Sequence, residues 1–189
     1  LPDRARAATD LATPSCTEML GNDKPGSWKY AVTAKAAGLV SQTAVSNVAI
    51  ATGVFTPPYC ETFDTQEAFN AWTVIDSNND SYTWAFNKKA NMAQYTASMT
   101  TAGDDWLISP EIAMNGGRMY RLEFIYKGFD DRKPEQMSVR LGQGDAPTAY
   151  REIVPAMTIG NYDRLRHESL FAVEADGKYR LAFHAESPA

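Results

Sequence analysis

In Tyr120, Leu122, Phe124 and Tyr126 every second side chain is large and apolar, and Met137, Val139, Leu141 and Tyr179, Leu181, Phe183 repeat the spacing. Side chains two apart share one face of a strand, so each run offers an apolar face to a core and a polar face to water. Turn formers bound the runs: Asn115-Gly116-Gly117, Gly142-Gln143-Gly144-Asp145 and Asp176-Gly177. Trp28, Tyr30 and Val32 show the same alternation near the start. The one helix expected inside the fold is short, over residues 65–70, capped by Asp64 or Thr65. Many short strands joined by tight turns predict an all-β protein of sandwich or jelly-roll type.

The pattern divides at Thr52 to Tyr59. Pro57 and Pro58 lack backbone donors and favour an extended connector. Residues 1–52 are rich in Ala, Thr and Ser, too poor in large apolar groups to bury a core alone. Residues 59–189 carry three of the four tryptophans and can form a complete core. The expected organisation is therefore an incomplete sandwich segment at 1–52, a linker at 53–58 and a full domain at 59–189.

Charge removes several classes of function. The 189 residues hold 18 Lys and Arg against 23 Asp and Glu, a net charge of -5. The basic residues are scattered, with only short pairs at Lys88-Lys89 and Arg132-Lys133, so neither a phosphate backbone nor an anionic membrane finds a docking face. No apolar run approaches the roughly 18 residues that span a bilayer, so no membrane insertion is expected in this segment. Two cysteines, Cys16 and Cys60, are too few for a disulfide scaffold or a structural zinc site, and whether they pair depends on the compartment.

The best candidate for chemistry is the loop Asp76-Ser77-Asn78-Asn79-Asp80. Oxygens from Asp76, Asn78 and Asp80 would converge on Ca²⁺, which takes six to eight oxygen ligands from a compact loop. The loop is not an EF-hand, because Ser81 stands where glycine is needed and Asn87 where the bidentate glutamate belongs. The alternative is a plain Asx-rich turn whose side chains bond their own backbone. Aromatic residues Trp72, Trp84, Trp106, Tyr82 and Tyr95 form either a core or a sugar-stacking platform. Trp106, inside Trp106-Leu107-Ile108, belongs to the core. Tyr82 and Trp84 are two apart and share one fate: core, or an exposed ligand-binding pair.

Catalytic patterns are missing. No Gly-x-Ser-x-Gly elbow, His-Glu-x-x-His pair, P-loop or Gly-x-Gly-x-x-Gly turn occurs, and no enzyme is expected. His184 and His167 are expected to be exposed, the first pointing outward from its strand and the second lying in a charged run. Asp104 and Asp105 look like a carboxylate dyad, but neighbours on a strand face opposite sides. A capping role is expected for them.

Two family resemblances add to this. Lys24-Pro25-Gly26-Ser27-Trp28-Lys29-Tyr30-Ala31-Val32-Thr33-Ala34, followed by Gly38 and a strand over residues 41–50, resembles the C-terminal part of a fibronectin type III domain, with Tyr30 as its corner tyrosine. Tyr59-Cys60-Glu61-Thr62-Phe63-Asp64, Trp72 to Asp80, Trp84, and Asp104-Asp105-Trp106-Leu107-Ile108-Ser109-Pro110-Glu111-Ile112 occur in that order. With Tyr120 to Lys127 they resemble the cleaved-adhesin or choice-of-anchor J family of Bacteroidetes surface proteins, which are jelly rolls related to MAM domains. That likeness covers residues 59–185. It implies calcium, with Glu61 and the Asp104-Asp105 pair as more distant ligands beside Asp76, Asn78 and Asp80. It further implies a secreted or cell-surface module that binds a glycan or an extracellular protein without catalysis. An accessory domain of a secreted peptidase or glycan-degrading enzyme, or a structural spacer, are the alternatives.

Overall fold

This computed structural model describes residues 54–189 throughout, and before them only the backbone of six short strands between residues 26 and 51. Those strands are β1 (Gly26–Trp28), β2 (Ala31–Val32), β3 (Lys35–Ala36), β4 (Leu39–Val40), β5 (Ala44–Val45) and β6 (Ala49–Ala51). They pair antiparallel in nested order, β1 with β6, β2 with β5 and β3 with β4, the pattern of a folded-back ribbon. The expectations for Tyr30 and Cys16 lie outside the described residues.

From residue 54 onward the chain is almost entirely antiparallel β. Helix α1 (Gln66–Asn70) begins as its sequence indicates: the Thr65 side chain accepts from the Ala68 amide at 3.1 Å, satisfying an otherwise orphaned donor. Then come β7 (Thr73–Asp76), β8 (Trp84–Asn87), β9 (Met92–Tyr95), β10 (Asp105–Ile108), β11 (Ile112–Met114), β12 (Met119–Tyr126), β13 (Glu135–Gly142), β14 (Arg151–Ile159), β15 (Leu165–Ala172) and β16 (Gly177–Ala185). A 3₁₀ turn at Pro147–Ala149 precedes β14.

The main sheet runs β14-β13-β16-β10-β7, with β11 also paired to β16. Phe55, within the stretch expected to be a linker, joins it: its amide donates to Glu111 O at 2.8 Å and its carbonyl accepts from Ala113 at 2.7 Å, making a parallel bridge to Ile112. Pro155 interrupts β14 without breaking the sheet, because β14 lies at the end of the sheet order and its register with β13 shifts there.

Two apolar clusters lie on the inner face. One joins Val139, Leu141 and Val154 of the main sheet to Leu122 and Phe171 of the separate pair β12–β15, so β12–β15 forms the facing layer. The other packs Leu107 against Phe69 and Trp72, with Trp84, Phe86 and Ala93 of the β8–β9 hairpin around them. The alternation seen in the sequence maps onto this directly: Leu122 and Val139 are buried, while Arg121 and Glu123 face outward. Full burial of such side chains contributes about 1.5–3 kcal/mol each, which is what holds the two layers together.

The other face of the main sheet is also covered. Trp106, Ile108, Ala182 and Tyr150 form a third cluster there. Tyr150 sits over Gly142, where any side chain would collide with its ring.

Candidate functional site

The acidic loop follows β7. Asp76, its last residue, lies directly opposite Asp105 in β10. The loop folds on its own side chains. Asp76 accepts from the amides of Asp80 at 3.3 Å and Ser81 at 2.9 Å; Asn78 also accepts from Asp80, and Asp80 accepts from Tyr82 at 2.8 Å. Asn79 and Ser81 adopt left-handed backbone with φ of 56° and 67°, a conformation that Asn tolerates better than most residues. Asn78 Nδ2 ties the loop to Ala102 O at 2.7 Å. These bonds make an Asx-rich turn.

Asp105 is the unusual member. It is fully buried; Oδ2 accepts from the Asp104 amide at 3.3 Å, and Oδ1 has no partner among the described residues. Burial raises its pKa above the ordinary carboxylate range, and the negative charges of Asp76 and Asp80 add to that, while the nearby Thr83 hydroxyl pulls the other way. The Tyr95 phenol is pushed well up, first by burial and then by Asp105, Glu135 and Asp80. Tyr95 packs on Trp84, ring centroids 5.6 Å apart, and its hydroxyl fills the space where a side chain at Gly103 would stand.

The expected calcium ligands are only partly gathered. Asp76 and Asp80 both bear electrostatically on Asp105, and the orphaned Asp105 oxygen suits a cation. Glu61 instead accepts from the amides of Thr62 at 2.8 Å and Phe63 at 2.7 Å, closing its own turn at the positive φ of Phe63. Asn78 Oδ1 is engaged by the Asp80 amide. Among the described residues no three His, Cys, Asp or Glu side chains stand grouped to hold a metal ion. The expected ligands do not therefore form a ready-made cage.

Asp104 and Asp105 face opposite sides, as strand parity requires. Asp104 pairs with His184 Nε2 at 2.7 Å on the other face of the sheet. There the His184 ring stacks on Trp106, centroids 3.7 Å apart and 7° from parallel, with the Arg140 guanidinium over the indole. His184 does face away from the inner core, but the expectation of exposure fails. It is 8% exposed, because Trp106, Asp104 and Glu186 surround it. His167 is corrected too: it faces inward from β15, stacked on Phe124, with Nε2 buried and unpartnered.

The aromatic expectations separate. Trp106 is core at 1% exposure. Tyr82 and Trp84 do not share one fate: Tyr82 lies in the irregular segment just before β8 and is exposed, whereas Trp84 is half-buried and donates through Nε1 to Asp105 O at 3.3 Å. Alternation holds only within a strand, and Tyr82 stands outside one. Cys60 is exposed and bonds to no cysteine among the described residues.

A second candidate surface escaped sequence reasoning. Phe129 is 89% exposed and Tyr162 is 59% exposed. The loop over 127–134 is pinned to the loop over 160–164 by Gly128 donating to Asn161 O at 2.7 Å, and Tyr162 reaches Asp131 at 3.4 Å. Asp130 accepts from the Arg132 amide at 2.9 Å, which with the guanidinium lowers its pKa. Met99, also exposed, joins them through Lys133 Nζ at 3.5 Å from its sulfur. The sequence signal was a lone aromatic within each of two polar turns, at Gly128-Phe129-Asp130 and Asn161-Tyr162-Asp163. Nothing local says that the two turns meet.

Among the described residues no helix is long and apolar enough to cross a membrane. No protein-family model and no curated protein matches the chain. Among solved structures, it is similar to the K3 cleaved adhesin domain of Lys-gingipain from Porphyromonas gingivalis, at 14% identity and a TM-score of 0.43, over 63% of this chain and 84% of that one. It is also similar to the K1 cleaved adhesin domain of the same protein, at 17% identity and a TM-score of 0.44, over 62% of this chain and 82% of that one.

Proposed function

We propose that this chain is a non-catalytic binding module, of extracellular or cell-surface location, that recognises a glycan or an extracellular protein through loops at one end of its β-sandwich. The observation that supports it is the exposure of Phe129 and Tyr162 on two loops tied together by the Gly128–Asn161 hydrogen bond. Large aromatics held in water carry the cost of hydrating apolar surface, which a partner that covers them removes, and loops fixed by backbone bonds lose little entropy on binding. Binding of the full chain to arrays of glycans and extracellular proteins tests this, with Phe129→Ala beside it. A ligand kept by the wild type and lost by the variant supports the function; the absence of any ligand leaves the spacer alternative in its place.

Calcium at the acidic loop belongs to the same proposal. The unpartnered, buried oxygen of Asp105 beside Asp76 and Asp80 supports it. The ion would hold the loop from which Tyr82 projects. An increase in melting temperature with Ca²⁺ that chelator reverses is the expected result, and an unchanged melting curve rejects the ion.

A further inference from the structure

Among the described residues β12 has one strand partner. It pairs with β15 over eight residues, from Met119↔Ala172 to Tyr126↔Leu165, without a register shift. Among the described residues no backbone group bonds to its other edge. A free edge of this length is a template for another strand, and proteins usually blunt such edges with proline, a bulge or an inward charge. β12 has none of these: it contains no proline, and its charges Arg121 and Glu123 lie on the outer face. Beside the edge, Tyr120, Phe124 and Tyr126 are only partly covered although they face the core, and Met119 and Ile125 on the outer face are 66% and 67% exposed.

We propose that this edge pairs with β12 of a second copy of the chain, antiparallel, about a twofold axis at Leu122. In that register Arg121 of each copy lies opposite Glu123 of the other, Met119 opposite Ile125, and Tyr120 opposite Phe124. Every pair then joins like with like or opposite charges, on both faces at once. Moving the axis to Glu123 would set two glutamates against each other, and moving it to Arg121 would set two arginines against each other. The charge pattern therefore favours the axis at Leu122 over either neighbouring one. The pairing makes a continuous sheet β15-β12-β12-β15, and because the twofold contact uses the same surface on both copies it closes at the dimer.

Sedimentation velocity on the full 189-residue chain over a concentration series tests the proposal, with melting temperature recorded for each variant. The wild type should show a concentration-dependent dimer. Arg121→Glu and Glu123→Arg each place like charges opposite one another twice per dimer and should weaken it by about tenfold or more. The double exchange R121E/E123R restores opposite charges and should recover the dimer. Arg121 and Glu123 also meet Glu168 and Arg166 within the chain, at 3.9 Å and 2.5 Å, but these pairs are exposed and their loss should leave folding intact. If one single variant fails to fold, the other single variant and the double exchange carry the same comparison. A wild type that stays monomeric throughout overturns the proposal, as does a dimer indifferent to the single changes or one not recovered by the double exchange.

Discussion

Replacing Asp105 by Asn keeps the shape of a fully buried side chain while removing a charge that has one oxygen without a partner and two aspartates nearby. The amide leaves one buried polar atom unpartnered as well, but a neutral one, and a buried charge costs more than a buried neutral group, so the variant should be more stable than the wild type by about 1 kcal/mol or more at neutral pH. For a domain of this size that is a rise in melting temperature of roughly 3–4 °C per kcal/mol. The pH dependence carries the sign. A carboxyl whose folded pKa is raised binds its proton more tightly folded than unfolded. Its contribution is therefore largest below the unfolded value of about 3.9 and is lost as pH rises towards the folded value. The wild type should lose stability over that window while Asp105→Asn should not, and the gap should then hold to neutral pH. Thermal melts followed by circular dichroism from pH 3 to 8 in excess chelator measure both curves. A variant less stable than wild type at neutral pH, or parallel curves across the window, would refute the account of Asp105. Adding Ca²⁺ should reverse the order, stabilising the wild type alone.

Leu141→Ala, at 2% exposure in the main cluster, should cost about 2–5 kcal/mol in chemical denaturation without changing the far-ultraviolet spectrum at low denaturant. Thr65→Ala removes the cap of α1 and should cost about 0.5–2 kcal/mol, which Thr65→Ser should largely recover. Asp104→Ala leaves His184 Nε2 without its 2.7 Å partner and should destabilise by about 1–3 kcal/mol, with a change in Trp106 emission because the indole stacks on that ring.

How much of this was legible in the sequence depends on the range of the interactions involved. Period-two alternation located β12, β13 and β16 and the buried faces of Leu122 and Val139, since strand geometry fixes side-chain direction locally. The Thr65 cap and the opposite facing of Asp104 and Asp105 are local in the same sense. The histidines were not legible: His184 does point outward from its strand, but the outer face there is covered by Trp106, Arg140 and Tyr150, which arrive from other strands and from the turn before β14, and the charged neighbours of His167 hide that strand parity turns its ring inward onto Phe124. Glu61 was expected among the metal ligands, yet its carboxylate is consumed two residues away by the left-handed turn at Phe63. The meeting of the Phe129 and Tyr162 loops depends on pairing between residues about thirty apart, which no local pattern encodes.

Binding through the joined loops is measured most directly by titrating a ligand found on the arrays against wild type, Phe129→Ala, Tyr162→Ala and the distant control Lys89→Ala. Central aromatic contacts typically contribute 2 kcal/mol or more, so each aromatic variant should weaken binding about thirtyfold or more while Lys89→Ala matches the wild type. Equal affinity in all four proteins, with unchanged melting curves, would contradict the placement of recognition at that end of the sandwich.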